Sequence, residues 1–216
     1  RMDYDTTRAK DSYQKIINTF ASGGADVLIG TQMIVKGHDF PGVSLMGVLA
    51  ADLSLYAPDY TAAERTFQLL TQAAGRAGRA EVPGEVIIQT YTPDHYSIQT
   101  AAAQDYEAFY EEEIVYRQML GYPPVRSMLS CVVTAEDERE AQAAAQLLAE
   151  LAREAGDTDV FGPSDDVISR MHDRWRKALY VKADLEEQLI RVRQTWDAAC
   201  ENGDIPKRVR LAYDIS

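Results

Sequence analysis

The chain has 216 residues, with 22 basic and 34 acidic side chains and a formal charge of −12 at neutral pH. This charge argues against a protein that coats nucleic acid through bulk electrostatics, although it leaves room for a local basic surface. No apolar run reaches the ~20 residues that a membrane span needs. The first residues, RMDYDTTRAK, contain no signal segment and do not begin with Met, so the chain reads as a piece of a longer polypeptide.

The two cysteines, Cys131 and Cys200, lie far apart and form no CxxC pair. Two thiols cannot build an all-cysteine zinc site, so no metal site is expected in this chain. Cys131 lies in an apolar run, LSCVVT, and is expected to be a buried free thiol. We therefore expect a cytoplasmic protein in a reducing compartment, with no membrane partner.

The first half alternates helical and strand patterns. DTTRAKDSYQKIINTFA predicts an amphipathic helix with cap candidates at Asp5–Thr7 and an end at Gly23 and Gly24. DVLIGTQM, VSLMGVLAAD and GEVIIQTY are apolar runs typical of buried strands, and TAAERTFQLLTQAAGRAG predicts a helix with a Thr61–Glu64 capping box. Such a pattern predicts an α/β domain with a parallel sheet covered on both faces, whose functional loops follow the strands.

The second half changes character after a predicted helix at roughly 96–119. SMLSCVVTA, DVFGPSDDVI, KALYVKA and VRLAYDI are predicted strands, and two long amphipathic helices separate the first strand from the second and the third from the fourth. The order β-α-β-β-α-β is that of a split βαβ or ferredoxin-like α+β domain. We place the two domains at 1–104 and 105–216.

The strongest local motif is QAAGRAGR, residues 72–79, at the end of a predicted helix. Arg76 and Arg79 lie three residues apart, and each follows a glycine. Guanidinium groups donate bidentate hydrogen bonds to phosphate oxygens and can stabilise the charge on a transferred γ-phosphoryl group, as arginine fingers do. The alternative is a solvated turn rich in Ala, Gly and Arg, and composition alone favours that alternative.

A second motif, GTQMIVKGHDF, begins at Gly30 and follows an apolar run, so it is expected at the carboxyl end of a strand. Its polar groups suit a phosphodiester, because backbone amides and a cation can approach the phosphate, and an Asp suits a ribose hydroxyl. The candidate residues are Thr31, Gln32, Lys36, Gly37 and Asp39. Alone this loop is a moderate indication, and its place before the arginine pair strengthens both motifs.

A basic segment stands out in the acidic second half. Residues 168–182 contain five basic side chains (Arg170, Arg174, Arg176, Lys177 and Lys182) against Asp173, a local charge of +4. On a strand, Arg174 and Arg176 share one face and Trp175 lies on the other. This strip could bind DNA phosphates, stack a base or bind an acidic peptide. A sheet edge with a core Trp and solvated arginines is an equally good interpretation.

Together, the two motifs of the first half resemble motifs V and VI of superfamily 2 helicases, and residues 72–79 match every fixed position of QxxGRxGR. With RMDYDTT before them and AADLSLYAPDYTAAERTFQLL between them, the chain resembles the primosomal protein N′ family of bacterial replication-restart helicases. The resemblance implies the later part of a RecA-like (P-loop NTPase) helicase lobe 2, followed by the family's C-terminal domain. It also implies an ATP-dependent 3′–5′ DNA helicase that restarts stalled forks and helps load the primosome.

The resemblance assigns roles in the nucleotide cleft. Gln72, Arg76 and Arg79 would meet the ATP phosphates as the catalytic set, with the two arginines as fingers. Asp39 would lie near the ribose, and Gly37 would lie in the same cleft. ATP and Mg²⁺ are therefore the cofactors expected of the parent protein.

The resemblance also implies contacts with forked or single-stranded DNA, with primosome proteins and with the acidic tail of single-stranded DNA-binding protein. Four residues are expected to contact DNA: Thr31, Gln32, Lys36 and Arg176. Arg174 would be the partner of a carboxylate of the acidic tail. The family often has Gln where this chain has Ala178, which puts the build of the tail pocket in doubt.

Three features depart from the family. The chain contains no GxxxxGK[ST] and no acidic helicase box, and the family's zinc-binding cysteines would precede RMDYDTT. We therefore expect no bound cofactor and no ATP hydrolysis from this chain alone, and possible oligomers through an exposed cut surface. The alternative is a non-enzymatic DNA- or protein-interaction module, against which the intact Arg76 and Arg79 argue.

Overall fold

The computed structural model of the chain describes residues 1–8, 11–34, 42–75 and 84–216. These residues divide into two compact units, Arg1–Glu113 and Ile114–Ser216, which we describe separately. This division falls within a helix and comes later in the chain than the boundary that we predict between residues 104 and 105. The domain boundary therefore stays a prediction. No helix of the described residues is long and apolar enough to cross a membrane.

The first unit contains a two-stranded parallel sheet, so the predicted α/β architecture with a parallel sheet is confirmed. Its core joins the sheet to four helices, and Phe67 stacks on Phe109 with ring centroids 4.3 Å apart. The elements are α1 (Ser12–Ala21), β1 (Leu45–Val48), α2 (Asp52–Leu55), α3 (Ala62–Ala74), β2 (Glu85–Ile88), α4 (Tyr96–Ala103) and α5 (Tyr106–Leu120), which continues into the second unit.

Among the described residues, the sheet is covered on one face. Val48 and Ile88 pack against the core, whereas Leu45 and Ile87, which point the other way, are more than half exposed. The expectation that both faces of these strands are covered is therefore wrong for β1 and β2. The apolar runs were long enough to suggest full burial, but alternate side chains of a strand face opposite directions and only one set meets the core.

The predicted strand DVLIGTQM is also wrong. Val27 and Ile29 are exposed, and the segment makes one isolated parallel bridge, between Gly30 and Met2, among the described residues. A strand needs a neighbour for its backbone N–H and C=O groups, and one bridge does not supply it. The chain instead turns into a 3₁₀ helix at Gln32–Ile34.

The starts of two helices in the first unit differ from the predicted ones, because the predicted cap residues make other local hydrogen bonds. α1 begins only at Ser12, and Thr6 of the predicted cap bonds to Asp3 instead. The side chain of Thr61 makes no cap bond to α3 and donates to the Asp59 carboxylate, so the predicted capping box is absent. The end of α1 at Ala21, before the predicted glycines, is confirmed.

The single helix predicted at 96–119 is two helices. α4 ends at Ala103, because Gln104 adopts a left-handed conformation with φ of 55°. Asp105 then accepts a hydrogen bond from the N–H of Ala108 at 2.9 Å and so caps the first turn of α5.

The second unit has the predicted order of strands and helices. Its sheet is antiparallel throughout, in the order β4-β5-β3-β6, and both long helices pack on one face. Cys131 is a buried free thiol, as predicted. Trp196 is fully buried, and its Nε1 donates to the carbonyl oxygen of Leu148 at 2.9 Å. The elements are β3 (Ser127–Ala135), α6 (Glu138–Glu154), β4 (Asp159–Met171), β5 (Arg174–Ala183), α7 (Glu186–Asn202) and β6 (Arg210–Ile215).

β4 and β5 form a hairpin that is longer than predicted. Its two-residue turn, His172 and Asp173, has φ of 49° and 57°, as a type I′ turn requires. Two register shifts interrupt the pairing of β4 with β5. At the first of them Gly162 has φ of 98°, and a Cβ there would lie 2.8 Å from the carbonyl oxygen of Ala178, so only glycine fits.

Candidate functional site

The carboxyl ends of β1 and β2 are joined through a buried carboxylate. Asp52 is 4% exposed and begins α2 directly after β1. Its Oδ1 accepts from Thr90 Oγ1 at 2.5 Å and from Thr92 Oγ1 at 2.6 Å, and its Oδ2 accepts from the N–H of Tyr91 at 3.0 Å. These hydrogen bonds, led by that of Thr90, hold the pKa of the Asp52 carboxyl well below its usual value.

The short helix α2, which Asp52 begins, also contacts α3, the helix that leads into the arginine motif. α2 contacts α3 through Ser54 Oγ, which lies 2.8 Å from the buried Thr66 Oγ1. α3 turns Phe67 and Leu70 into the core. The end of β1, the short helix α2 and the helix α3, which we call the motif helix, are therefore connected to one another.

Gln72 lies on the exposed side of α3, in its last turn, opposite the buried residues. The helix ends at Ala74, where the N–H of Gly75 bonds to the carbonyl oxygen of Thr71 at 3.0 Å. Arg76 and Arg79 follow directly and lie outside the described residues, as do the other predicted cleft residues, Gly37 and Asp39.

The predicted DNA-contacting loop is described only in part. Thr31 and Gln32 are exposed and follow the bridge at Gly30. A Cβ at Gly30 would overlap the carbonyl oxygen of Met2, so the close backbone approach excludes any other residue there. Lys36 lies outside the described residues.

The basic segment of the second unit is largely neutralised by its own unit. Four of its five cations form ion pairs, and most of their partners come from outside the segment. The pairs are Arg170 with Asp173, Arg174 with Glu136, Arg176 with Asp166, and Lys177 with both Asp165 and Glu138. The local charge of +4 that the sequence suggested is therefore not a free basic surface.

The two most buried cations of this segment have opposite pKa shifts. Lys177 Nζ lies 2.6 Å from Asp165 Oδ1, and that hydrogen bond raises the pKa of Lys177. Lys182 Nζ donates to the carbonyl oxygen of Leu120 at 2.9 Å and lies 3.5 Å from the ring centroid of Tyr122. Burial lowers the pKa of Lys182, because no carboxylate compensates the lost hydration to the same extent.

Arg174 is held by two backbone carbonyls and one carboxylate. Its Nη2 donates to the carbonyl oxygen of Arg208 at 2.7 Å and to that of Thr134 at 3.4 Å. Its Nη1 donates to Glu136 Oε1 at 3.0 Å. The Arg174 side chain is 16% exposed, whereas that of Glu136 is 79% exposed. Among the described residues, the buried Nε of Arg174 has no hydrogen-bond partner.

The predicted division of faces along β5 is confirmed. Trp175 lies opposite Ala135 and packs against the core under the helices, with the Arg170 guanidinium 5.4 Å from its ring centroid. Arg174 and Arg176 point to the other face of the sheet, which is that of the buried Ala178. Arg176 Nη2 lies 2.6 Å from Asp166 Oδ2.

Two residues of these sites were not predicted. Asp52 ends the apolar run VSLMGVLAAD, so the rule that functional groups follow strands could have found it. Glu136 has no local signal, since its partner Arg174 is 38 residues away in the chain. No group of three or more His, Cys, Asp or Glu side chains in the described ranges is arranged to hold a metal ion.

Comparison with family models assigns both halves of the chain. Residues 2–81 match the helicase conserved C-terminal domain, and residues 118–215 match the primosomal protein N C-terminal domain. The chain thus belongs to the class of proteins that combine a helicase domain with this primosomal domain. More closely, it belongs to the family of the replication restart protein PriA, so the predicted family is confirmed.

Relatives of that name match over much of this chain but over little of their own length. The chain is 48% identical to that of Bacillus subtilis over 88% of this chain and 24% of the relative. It is 52% identical to that of Chlamydia trachomatis over 61% and 18%, and 43% identical to that of Synechocystis over 84% and 22%. The chain thus spans about a quarter or less of the length of these relatives.

One solved structure, the de novo designed protein Foldit4, matches with a TM-score of 0.34 at 9% identity, over 42% of this chain and 96% of that chain. A likeness this weak carries no argument about the fold or the function.

Proposed function

We propose that the chain is part of an ATP-dependent 3′–5′ DNA helicase that restarts stalled replication forks and helps load the primosome. One observation carries the proposal: the helicase domain and the primosomal domain occur in one chain in this order, with every fixed position of QxxGRxGR intact at residues 72–79. The proposal gives the first unit a RecA-like fold and the second unit a ferredoxin-like fold. The strand order β4-β5-β3-β6 supports the latter assignment.

In this proposal the motif helix α3 presents its last turn to the nucleotide. Thr66 and Phe67 anchor its inner side, so Gln72 faces outward and the chain leaves the helix toward Arg76 and Arg79. The two guanidiniums would stabilise the negative charge that develops on the transferred phosphoryl group. The contacts of Asp52 with the strand ends support this geometry, because they fix the direction in which α2 and α3 leave the sheet.

ATP and Mg²⁺ would bind mainly through the rest of the full-length protein, because this chain contains no GxxxxGK[ST]. Bound Mg²⁺ would neutralise negative charge on the phosphates, and Arg76 and Arg79 would add to that neutralisation from this side of the cleft. Two cysteines, Cys131 and Cys200, are too few for an all-cysteine zinc site, and no group of three or more His, Cys, Asp or Glu side chains among the described residues could hold a metal ion. Zinc would therefore belong to another part of the parent protein.

DNA would contact the loop that contains Thr31, Gln32 and Lys36 and, in the second unit, Arg176. Because Arg176 is paired with Asp166, a phosphate would have to replace that carboxylate. The acidic tail of single-stranded DNA-binding protein would bind at Arg174. The exposed apolar face of β1 and β2 supports the further proposal that the isolated chain self-associates.

The experiment that tests the proposal is Arg79→Ala in the full-length protein. DNA-stimulated ATP hydrolysis should fall on the order of 10³-fold or more while DNA binding stays nearly intact. Arg65→Ala is the matched control, since Arg65 lies on the same helix and pairs with Asp59 away from the motif. Near-normal turnover of Arg79→Ala would show that the arginines form a solvated turn. No DNA-stimulated hydrolysis in the wild-type protein would favour the non-enzymatic interaction module.

A further inference from the structure

We propose that Glu136 is an internal competitor that occupies Arg174 until an acidic tail displaces it. The proposal rests on the proposed function, namely that Arg174 binds a carboxylate of the tail of single-stranded DNA-binding protein. The Glu136 carboxylate then marks the position that the incoming carboxylate takes.

Backbone contacts hold the guanidinium group of Arg174 in place. Its Nη2 is held by the carbonyl oxygens of Thr134, in β3, and of Arg208, two residues before β6 begins. The side chain is mostly buried. When Glu136 leaves, these two carbonyls keep the guanidinium oriented, so Nη1 is presented to a new acceptor without rearrangement of the sheet.

The position of Glu136 lets its carboxylate move away from Arg174. It lies in the short connection between β3 and α6, and its side chain is 79% exposed, so rotation about its own bonds takes the carboxylate into water. Its acidic neighbours have partners of their own. Asp137 caps α6 by accepting from the N–H of Glu140, Glu138 pairs with Lys177, and Glu140 pairs with Arg208.

Exchange of one carboxylate for another leaves the guanidinium paired throughout. The tail therefore gains only the difference between its own contact and the contact that Glu136 gives up. Ion pairs with one exposed partner are weak, so removal of the competing charge should strengthen tail binding about two- to fivefold.

The test is titration of the full-length protein into a fluorescein-labelled peptide of the acidic tail, followed by fluorescence anisotropy at about 0.15 M salt. Glu136→Gln should lower the Kd about two- to fivefold. Glu138→Gln is the matched control: it removes the same charge two residues away and leaves Lys177 paired with Asp165, so its Kd should stay within about 1.5-fold of wild type. Arg174→Ala should weaken binding about tenfold or more, and Glu136→Gln added to Arg174→Ala should give no gain.

The outcomes separate the two proposals. Binding that depends on Arg174 but is not strengthened by Glu136→Gln would overturn the competition and leave the tail site standing. An equal gain in Glu138→Gln would also overturn it, because the effect would then be general electrostatics. If the wild-type protein does not bind the peptide, or if Arg174→Ala binds it as well as wild type does, both the tail site and the competition are overturned.

Discussion

Replacement of Trp196 by Phe should destabilise the second unit by about 3 kcal/mol. Trp196 lies on α7 and is fully buried against α6, and Phe removes the pyrrole part of its ring and leaves a cavity in the core. The lost apolar burial and the cavity cost about 2 kcal/mol. The lost bond from Nε1 to Leu148 adds about 1 kcal/mol, since Leu148 lies inside α6 and its carbonyl keeps its helical partner.

The chain offers an internal reporter for this measurement. It has two tryptophans, Trp175 and Trp196, and both lie in the second unit, so tryptophan fluorescence, excited selectively over tyrosine, follows the unfolding of that unit. In Trp196→Phe the remaining Trp175 reports the transition, and the urea midpoint should fall by at least about 1 M. Trp175→Phe is the matched control and should cost about 1 kcal/mol or less, because that ring is only partly buried. A midpoint of Trp196→Phe within about 0.3 M of wild type at unchanged slope would refute the reasoning.

Two further predictions concern the first unit. In the full-length protein, Lys36→Ala and Thr31→Ala should each retain ATP hydrolysis but reduce fork unwinding about tenfold, because under the proposed function both side chains contact the DNA backbone; unchanged unwinding would exclude this loop from the DNA path. Asp52→Asn should speed hydrogen exchange at the Tyr91 amide about tenfold or more, whereas Asp94→Asn in the same exposed loop should not. Because the folded pKa of Asp52 is depressed, its contribution should be complete above about pH 4 and lost as the pH falls further, and protection that does not change with acid would contradict this.

Much of the second unit could be predicted because its local signals agree with its packing. Along β3 the side chains alternate between the core and the opposite face, and Asp137 caps α6 where the polar stretch ends. The extent of the β4–β5 hairpin could not be predicted in the same way. Its turn is His172–Asp173, with no glycine and no Asn-Gly pair, so the sequence marks it only weakly, through two residue types that tolerate positive φ.

The interpretation of the basic segment shows the limit of counting charge along the chain. Arg174 and Lys177 are neutralised by acids of the β3–α6 connection and the start of α6, which are 38 and 39 residues away. Such pairs arise only when strands β3 and β5 come together. Gln104 in the first unit is a second feature that the sequence pattern does not predict, because its left-handed backbone breaks a helix that the composition alone favours.

The place of β3 in the sheet has a consequence for the growing polypeptide on the ribosome. β3 is the first strand of its unit to be synthesised, yet both of its neighbours, β5 and β6, come later in the chain. Until then α6 is the element available to cover the apolar side chains of β3. Vectorial synthesis therefore leaves both edges of β3 unpaired until β5 and β6 have been made, and the sheet is complete only when its last strand pairs with its first.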